Sequence, residues 1–165
     1  MPVGLTIEEV FKIAVQMEEM GAEFYRKGAA LVGDKRVSKV LYDLAVMEDH
    51  HATTFMNMLK NLLRFMGKKS YVSKNEEFLH LLVDDYVFFL ATSPTDVISE
   101  GANVREIIQL AIQKEKESVV FYSFFQRLFE RDEDKKKVEA IVNEELQHIA
   151  TLRRALGISC HQMKT

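Results

Sequence analysis

The sequence predicts an all-α four-helix bundle in which two antiparallel helical hairpins are joined by a long crossover. Three observations predict it: apolar residues recur at helical spacing over long stretches, helix breakers are scarce, and one half of the chain partly repeats the other. There are two prolines, Pro2 and Pro94, and seven glycines in 165 residues. Both prolines fall outside the periodic stretches, which disfavours many short strands. A chain of this length, 47% hydrophobic, can bury one sizeable core and is read as a single domain over 1–165.

The first helix is predicted over about 7–31. Thr6 can cap it while Glu9 reaches back, and Val10, Phe11, Ala14, Val15, Ala22 and Tyr25 form its apolar stripe. Gly33 and Asp34 make a tight turn, with Asp34 the N-cap of a second helix over 35–66 that carries Leu41, Leu44, Phe55, Met58 and Leu62. So short a turn makes these helices antiparallel neighbours. Residues 67–102 are read as the crossover, with room for a short extra helix in its aromatic part around Phe78, Tyr86, Phe88 and Phe89. Asn103 and Glu106 repeat the capping signal, and the third helix is predicted over 103–129. The polar tract from Glu130 to Asp134 reads as a turn. A fourth helix follows over 134–156, with Gly157 as its stop.

Sliding the chain by 97 positions lays Glu18 on Glu115, Phe24 on Phe121, Tyr25 on Tyr122, Glu48 on Glu145 and His51 on His148. Gln16 and Thr54 fall on Gln113 and Thr151, yet most of the surface does not coincide. The hairpins therefore share chemistry-bearing residues while differing elsewhere.

Composition narrows the function. Net charge is −3 with acidic and basic residues interleaved, so there is no electrostatic footprint for nucleic acid. No apolar run is long enough to cross a membrane and no export signal opens the chain, so a cytoplasmic protein is expected. Cys160 is the only cysteine, which excludes a disulfide framework and a thiolate cluster.

The constellation that remains is metal-like. Glu48 and His51, and again Glu145 and His148, lie three apart, so each pair projects from one helix face and can reach a common ion. One such pair arises easily by chance; two copies in mid-helix are a stronger signal. Glu18 and Glu115 each precede the paired glutamate by 30 residues, so each hairpin brings three groups to one height. A buried, unpaired carboxylate costs several kcal/mol, roughly, and four facing one another repel. Two divalent cations would neutralise four carboxylates. With one imidazole per ion and no thiolate, the donor set suits iron or manganese.

The stretches Glu18-Glu19-Met20-Gly21-Ala22-Glu23-Phe24-Tyr25 and Glu115-Lys116-Glu117-Ser118-Val119-Val120-Phe121-Tyr122, with the two Glu-x-x-His pairs, resemble the rubrerythrin branch of the ferritin-like superfamily. The resemblance covers roughly residues 7–156. It implies a ferritin-like bundle holding two iron ions, bridged by Glu48 and Glu145. Glu18 and His51 would complete one shell, and Glu115 and His148 the other. Tyr25 and Tyr122 would donate to ligand carboxylates. It further implies reduction of hydrogen peroxide or dioxygen, and a homodimer.

Two departures qualify it. The further glutamate usual three residues after the third-helix ligand is Ser118 here, the counterpart of Gly21, so a peroxidase cycle that depends on that group is open to question. A lone cysteine cannot supply the paired cysteines of a rubredoxin domain, so electrons are expected from a separate small protein. Gly21 and Ser118 suit either a space for a small substrate or close helix packing. The alternative functions are a ferroxidase for iron sequestration and a metal-binding protein without turnover. Glu19, Glu117 and Glu144 lie about 100° round the helix from the ligands and are expected to be solvated, and His50 is expected at the surface.

Overall fold

In the computed structural model, residues 6–66, 98 and 103–162 are described. They form α1 (Ile7–Leu31), α2 (Lys35–Met66), α3 (Val104–Phe125) and α4 (Asp132–Gln162), with a single 3-10 turn, Gln126–Leu128, after α3. The chain is an all-α four-helix bundle. The predicted crossover and its short helix lie outside the described residues apart from Ile98, which is buried.

Local signals set the helix starts. Thr6 and Glu9 close a capping box at α1, and Asn103 and Glu106 do so at α3. The Asp34 carboxylate accepts from the backbone amides of Arg36 at 2.8 Å and Val37 at 3.3 Å, satisfying donors that the first turn of α2 cannot pair internally.

Three predicted boundaries need correction. The third helix ends as an α-helix at Phe125 rather than 129, tightening into the 3-10 turn before Phe129 becomes extended. Burial drives that ending: the Phe129 ring packs edge-on against Phe11 and Phe125. The fourth helix starts at Asp132 rather than 134 and continues through Gly157 to Gln162. Asp132, Glu133 and Asp134 occupy its first turn, where negative charge complements the helix dipole. Gly157 does not take the left-handed conformation of a helix stop, so it is carried along at the modest cost of glycine within a helix.

The core is divided into two apolar layers. One gathers Phe11, Ala14 and Met17 from α1, Phe55 and Met58 from α2, Phe121 and Phe125 from α3, and Val138 and Ile141 from α4. The other gathers Phe24 and Tyr25, Leu41 and Leu44, Ile107 and Ala111, and Leu152 and Ala155 from the same helices in order. Following the chain through these layers gives the topology. α1 and α4 run from the first layer to the second, and α2 and α3 run the opposite way. Because α2 ends beside the first layer and α3 begins beside the second, the connection must traverse the length of the bundle. That is the reason for a long crossover. Gly28 lets three helices close up in the second layer: a Cβ there would lie 3.1 Å from Ile107 Cγ2 and 3.4 Å from Leu41 Cδ1. Among the described residues no helix is long and apolar enough to cross a membrane.

Candidate metal centre

Between the two apolar layers lies a polar one. Glu18 comes from α1, Glu48 and His51 from α2, Glu115 from α3, and Glu145 and His148 from α4. All six are buried, none more than 4% exposed. They form two overlapping groups: Glu18, Glu48, His51 and Glu145, and Glu48, Glu115, Glu145 and His148. In each group, one donor atom per residue lies within 4.8 Å of every other. Glu48 and Glu145 belong to both groups. The arrangement follows from the helices: residues three apart share a face, and antiparallel pairing brings each lone glutamate opposite the pair on its hairpin partner.

The imidazoles turn the same nitrogen inward. His51 Nδ1 lies 2.9 Å from Glu145 Oε1 and 3.5 Å from Glu18 Oε2. His148 Nδ1 lies 3.1, 3.2 and 3.5 Å from Glu145, Glu48 and Glu115 respectively. The rings stack at 5.7 Å between centroids, 18° from parallel. Each histidine thus reaches the glutamate of the opposite hairpin, so the two hairpins are interlocked through the site.

Electrostatics explains why protein groups alone serve this layer poorly. Burial, together with the charge of Glu18, pushes the Glu48 carboxyl well above its ordinary pKa. Burial and the neighbouring Glu145 push Glu115 up to about 8. Burial also raises Glu18. Glu145 goes the other way: burial and Glu48 oppose its ionisation, but contacts with Glu115, His148 and His51 outweigh them and lower its pKa. Burial resists charging the histidines as well, yet the carboxylates around them win, pushing His51 up to about 11 and His148 up to about 12. With only protons to neutralise it, the layer must hold them on carboxyls and imidazoles alike. Even so, among the described residues Glu18 Oε1 has no hydrogen-bond partner, and Glu48 Oε1, Glu145 Oε1 and His51 Nδ1 make only close approaches within the cluster that are not aligned as hydrogen bonds. Such atoms carry a desolvation cost that these approaches offset only in part. Oxygen and imidazole donors left unsatisfied at one depth are what a pair of divalent cations requires, and the cluster fits a metal site.

The tyrosines differ from one another. Tyr25, buried in the second layer, donates its hydroxyl hydrogen to Glu115 Oε1. Tyr122 donates to the backbone carbonyl of Ala14 at 3.5 Å. Gly21 lies against Glu48: a Cβ there would be 3.4 Å from Oε2. His50 is exposed as expected. Glu144 requires correction. Its side chain is 45% exposed, but Oε2 sits 2.7 Å from His51 Nε2, so a residue expected to be solvated holds the outer edge of a buried imidazole. Rotation of 100° from Glu145 turned Glu144 away from its own hairpin's site but toward α2, a contact that periodicity along one helix does not reveal.

A family model described as a ferritin-like domain matches residues 7–158. The chain belongs to the ferritin-like domain family. A solved structure from Thermotoga maritima, of a protein provisionally described as a ferritin-like diiron-carboxylate protein, is 20% identical and superposes with a TM-score of 0.68. The match covers 94% of this chain and 97% of that one. At this identity the likeness is one of fold. No curated protein matches the chain by sequence. The family assignment agrees with the four-helix bundle.

Proposed function

We propose that this chain is a non-haem di-iron oxidoreductase of rubrerythrin type, reducing hydrogen peroxide or dioxygen with electrons from a separate donor protein. The observation that carries this reading is the pair of overlapping donor groups joined through Glu48 and Glu145. Glu18 and His51 would hold one iron ion, Glu115 and His148 the other, and the two central glutamates would serve both. Manganese would suit the same donors. The diiron-carboxylate description of the Thermotoga maritima protein supports the iron reading.

Bound ferrous ions would supply the electrons for peroxide or dioxygen reduction. The protein contributes the surroundings. The apolar layers above and below exclude bulk water, so charge changes at the site are felt strongly by its residues. Tyr25, whose hydroxyl donates to Glu115 and keeps its hydrogen at neutral pH, is placed to hold a proton close to where oxygen is reduced. Glu144, a half-exposed carboxylate, accepts from the outer nitrogen of His51 and so turns the inner one toward the metal position.

The test is rapid mixing of the anaerobically iron-loaded chain with peroxide, followed by its absorption. Oxidation well above the rate of free ferrous iron, repeated on addition of a reductant, is the expected outcome. Oxidation no faster than that of free iron would sink the proposal. One round of oxidation with iron retained as mineral would point to sequestration instead.

A further inference from the structure

The repeat between the hairpins fails at one position beside the site. Glu144 precedes the shared Glu145, whereas its counterpart under the same shift, Met47, precedes Glu48. The histidines register that difference. Oε2 of Glu144 lies 2.7 Å from Nε2 of His51. A carboxylate accepts, so Nε2 donates, and Nδ1 is the nitrogen left for a cation. His148 presents the same inward nitrogen, but its Nε2 is buried with no hydrogen-bond partner among the described residues.

A second asymmetry points the same way. Tyr25 donates to Glu115, a member of the group around His148, and so draws charge from that carboxylate. On the opposite side Glu18 Oε1 makes no hydrogen bond among the described residues. Apart from these contacts the two groups match, each with its own glutamate, its own histidine and the same two shared glutamates.

We propose that Glu144 is a positioning residue that makes the two metal positions unequal, so that the Glu18/His51 position fills first and the Glu115/His148 position is the exchangeable one. This rests on the di-metal reading. The physical reason is preorganisation. An outer carboxylate fixes the ring's orientation before the cation arrives, keeps the outer proton in place when the inner nitrogen gives its own up, and makes that inner nitrogen a better donor. Among the described residues the His148 ring has only its inward contacts with Glu145, Glu48 and Glu115, and no outer partner, to orient it. Loss of such an outer partner typically weakens metal binding about 10–100-fold.

Cobalt(II), which does not turn over, is a suitable probe, added to the metal-free full chain and followed by calorimetry and by its visible absorption. Two resolved binding steps are expected, and a crystal given one equivalent should show anomalous density at the Glu18/His51 position. Glu144→Leu should weaken the tighter step about 10–100-fold while leaving the weaker one in place. Glu144→Gln should restore most of it, because an amide oxygen still accepts from Nε2–H. Glu144 is half-exposed, so neither change opens the core. Two equal steps in the unaltered chain, first occupancy beside His148, wild-type binding by Glu144→Leu, or equal weakening of both steps would each overturn the proposal. Failure of the unaltered chain to bind cobalt at all would overturn the di-metal reading and this inference with it.

Discussion

Tyr25 on α1 and Glu115 on α3, 90 positions apart, are joined by a buried hydrogen bond in which the phenol donates to the carboxyl. Burial and the surrounding carboxylates hold the tyrosine pKa well above its ordinary value, so the hydroxyl keeps its hydrogen at neutral pH. Tyr25→Phe removes the donor and leaves an oxygen of Glu115 unsatisfied away from water. The expected loss is about 1–3 kcal/mol of stability, read from urea unfolding of the metal-free chain. An unchanged midpoint would show that this contact is not maintained in solution.

The central glutamates should respond differently to the same substitution. Burial and Glu18 raise the pKa of Glu48 well above normal, favouring its protonated form, which an amide imitates. Glu48→Gln should therefore alter metal-free stability by no more than about 1 kcal/mol. Glu145, whose pKa is lowered, is the anion beside both histidines. Glu145→Gln strands two buried imidazolium groups and should cost about 3–5 kcal/mol. Both variants should fail to hold two metals per chain. Thermal unfolding and elemental analysis read the two effects separately, and equal destabilisation would refute the distinction.

Stability and metal affinity should run in opposite directions with pH. His51 and His148 are raised from 6.5 to about 11 and about 12, so their stabilising contribution is complete below pH 6.5 and fades as pH climbs toward those values. Glu115, raised from 4.5 to about 8, contributes below pH 4.5 and loses that contribution by about pH 8. The metal-free chain is thus expected to weaken between about pH 6.5 and 9. Cations must displace these protons, so cobalt affinity should rise over the same interval with protons released to buffer. Calorimetry in buffers of different ionisation enthalpy counts them. Binding without proton release would contradict the assignment.

Gly157 lies within α4, is exposed, and a Cβ there would meet nothing within 4 Å. Gly157→Ala should therefore stabilise the chain by up to about 1 kcal/mol, because glycine surrenders more backbone freedom on entering a helix. A lower melting temperature for this variant would mean that the helix ends there after all.

Much of this architecture is local and so was legible residue by residue. Capping boxes at Thr6–Glu9 and Asn103–Glu106, the Asp34 cap and apolar stripes of helical period act within a few positions of themselves. The Glu-x-x-His spacing and the 97-residue repeat singled out the six residues that the fold brings into one buried layer. Helix ends were less legible where packing competes with propensity. Phe129 leaves the helix to pack beside Phe11, and Gly157 stays in one that its composition would have ended.

From the amino-acid order alone came the four helices of the bundle, their pairing into hairpins and the residues able to share a cation, because each depends on periodicity or on short connections. Only the tertiary structure decided that Glu144 grips His51 across hairpins, that Tyr25 finds a carboxyl while Tyr122 finds a backbone carbonyl, and that His148 Nε2 has no hydrogen-bond partner among the described residues. Those outcomes depend on how far each helix is rotated and offset against its neighbours. That is settled by packing of the two apolar layers and has no signature within a single helix.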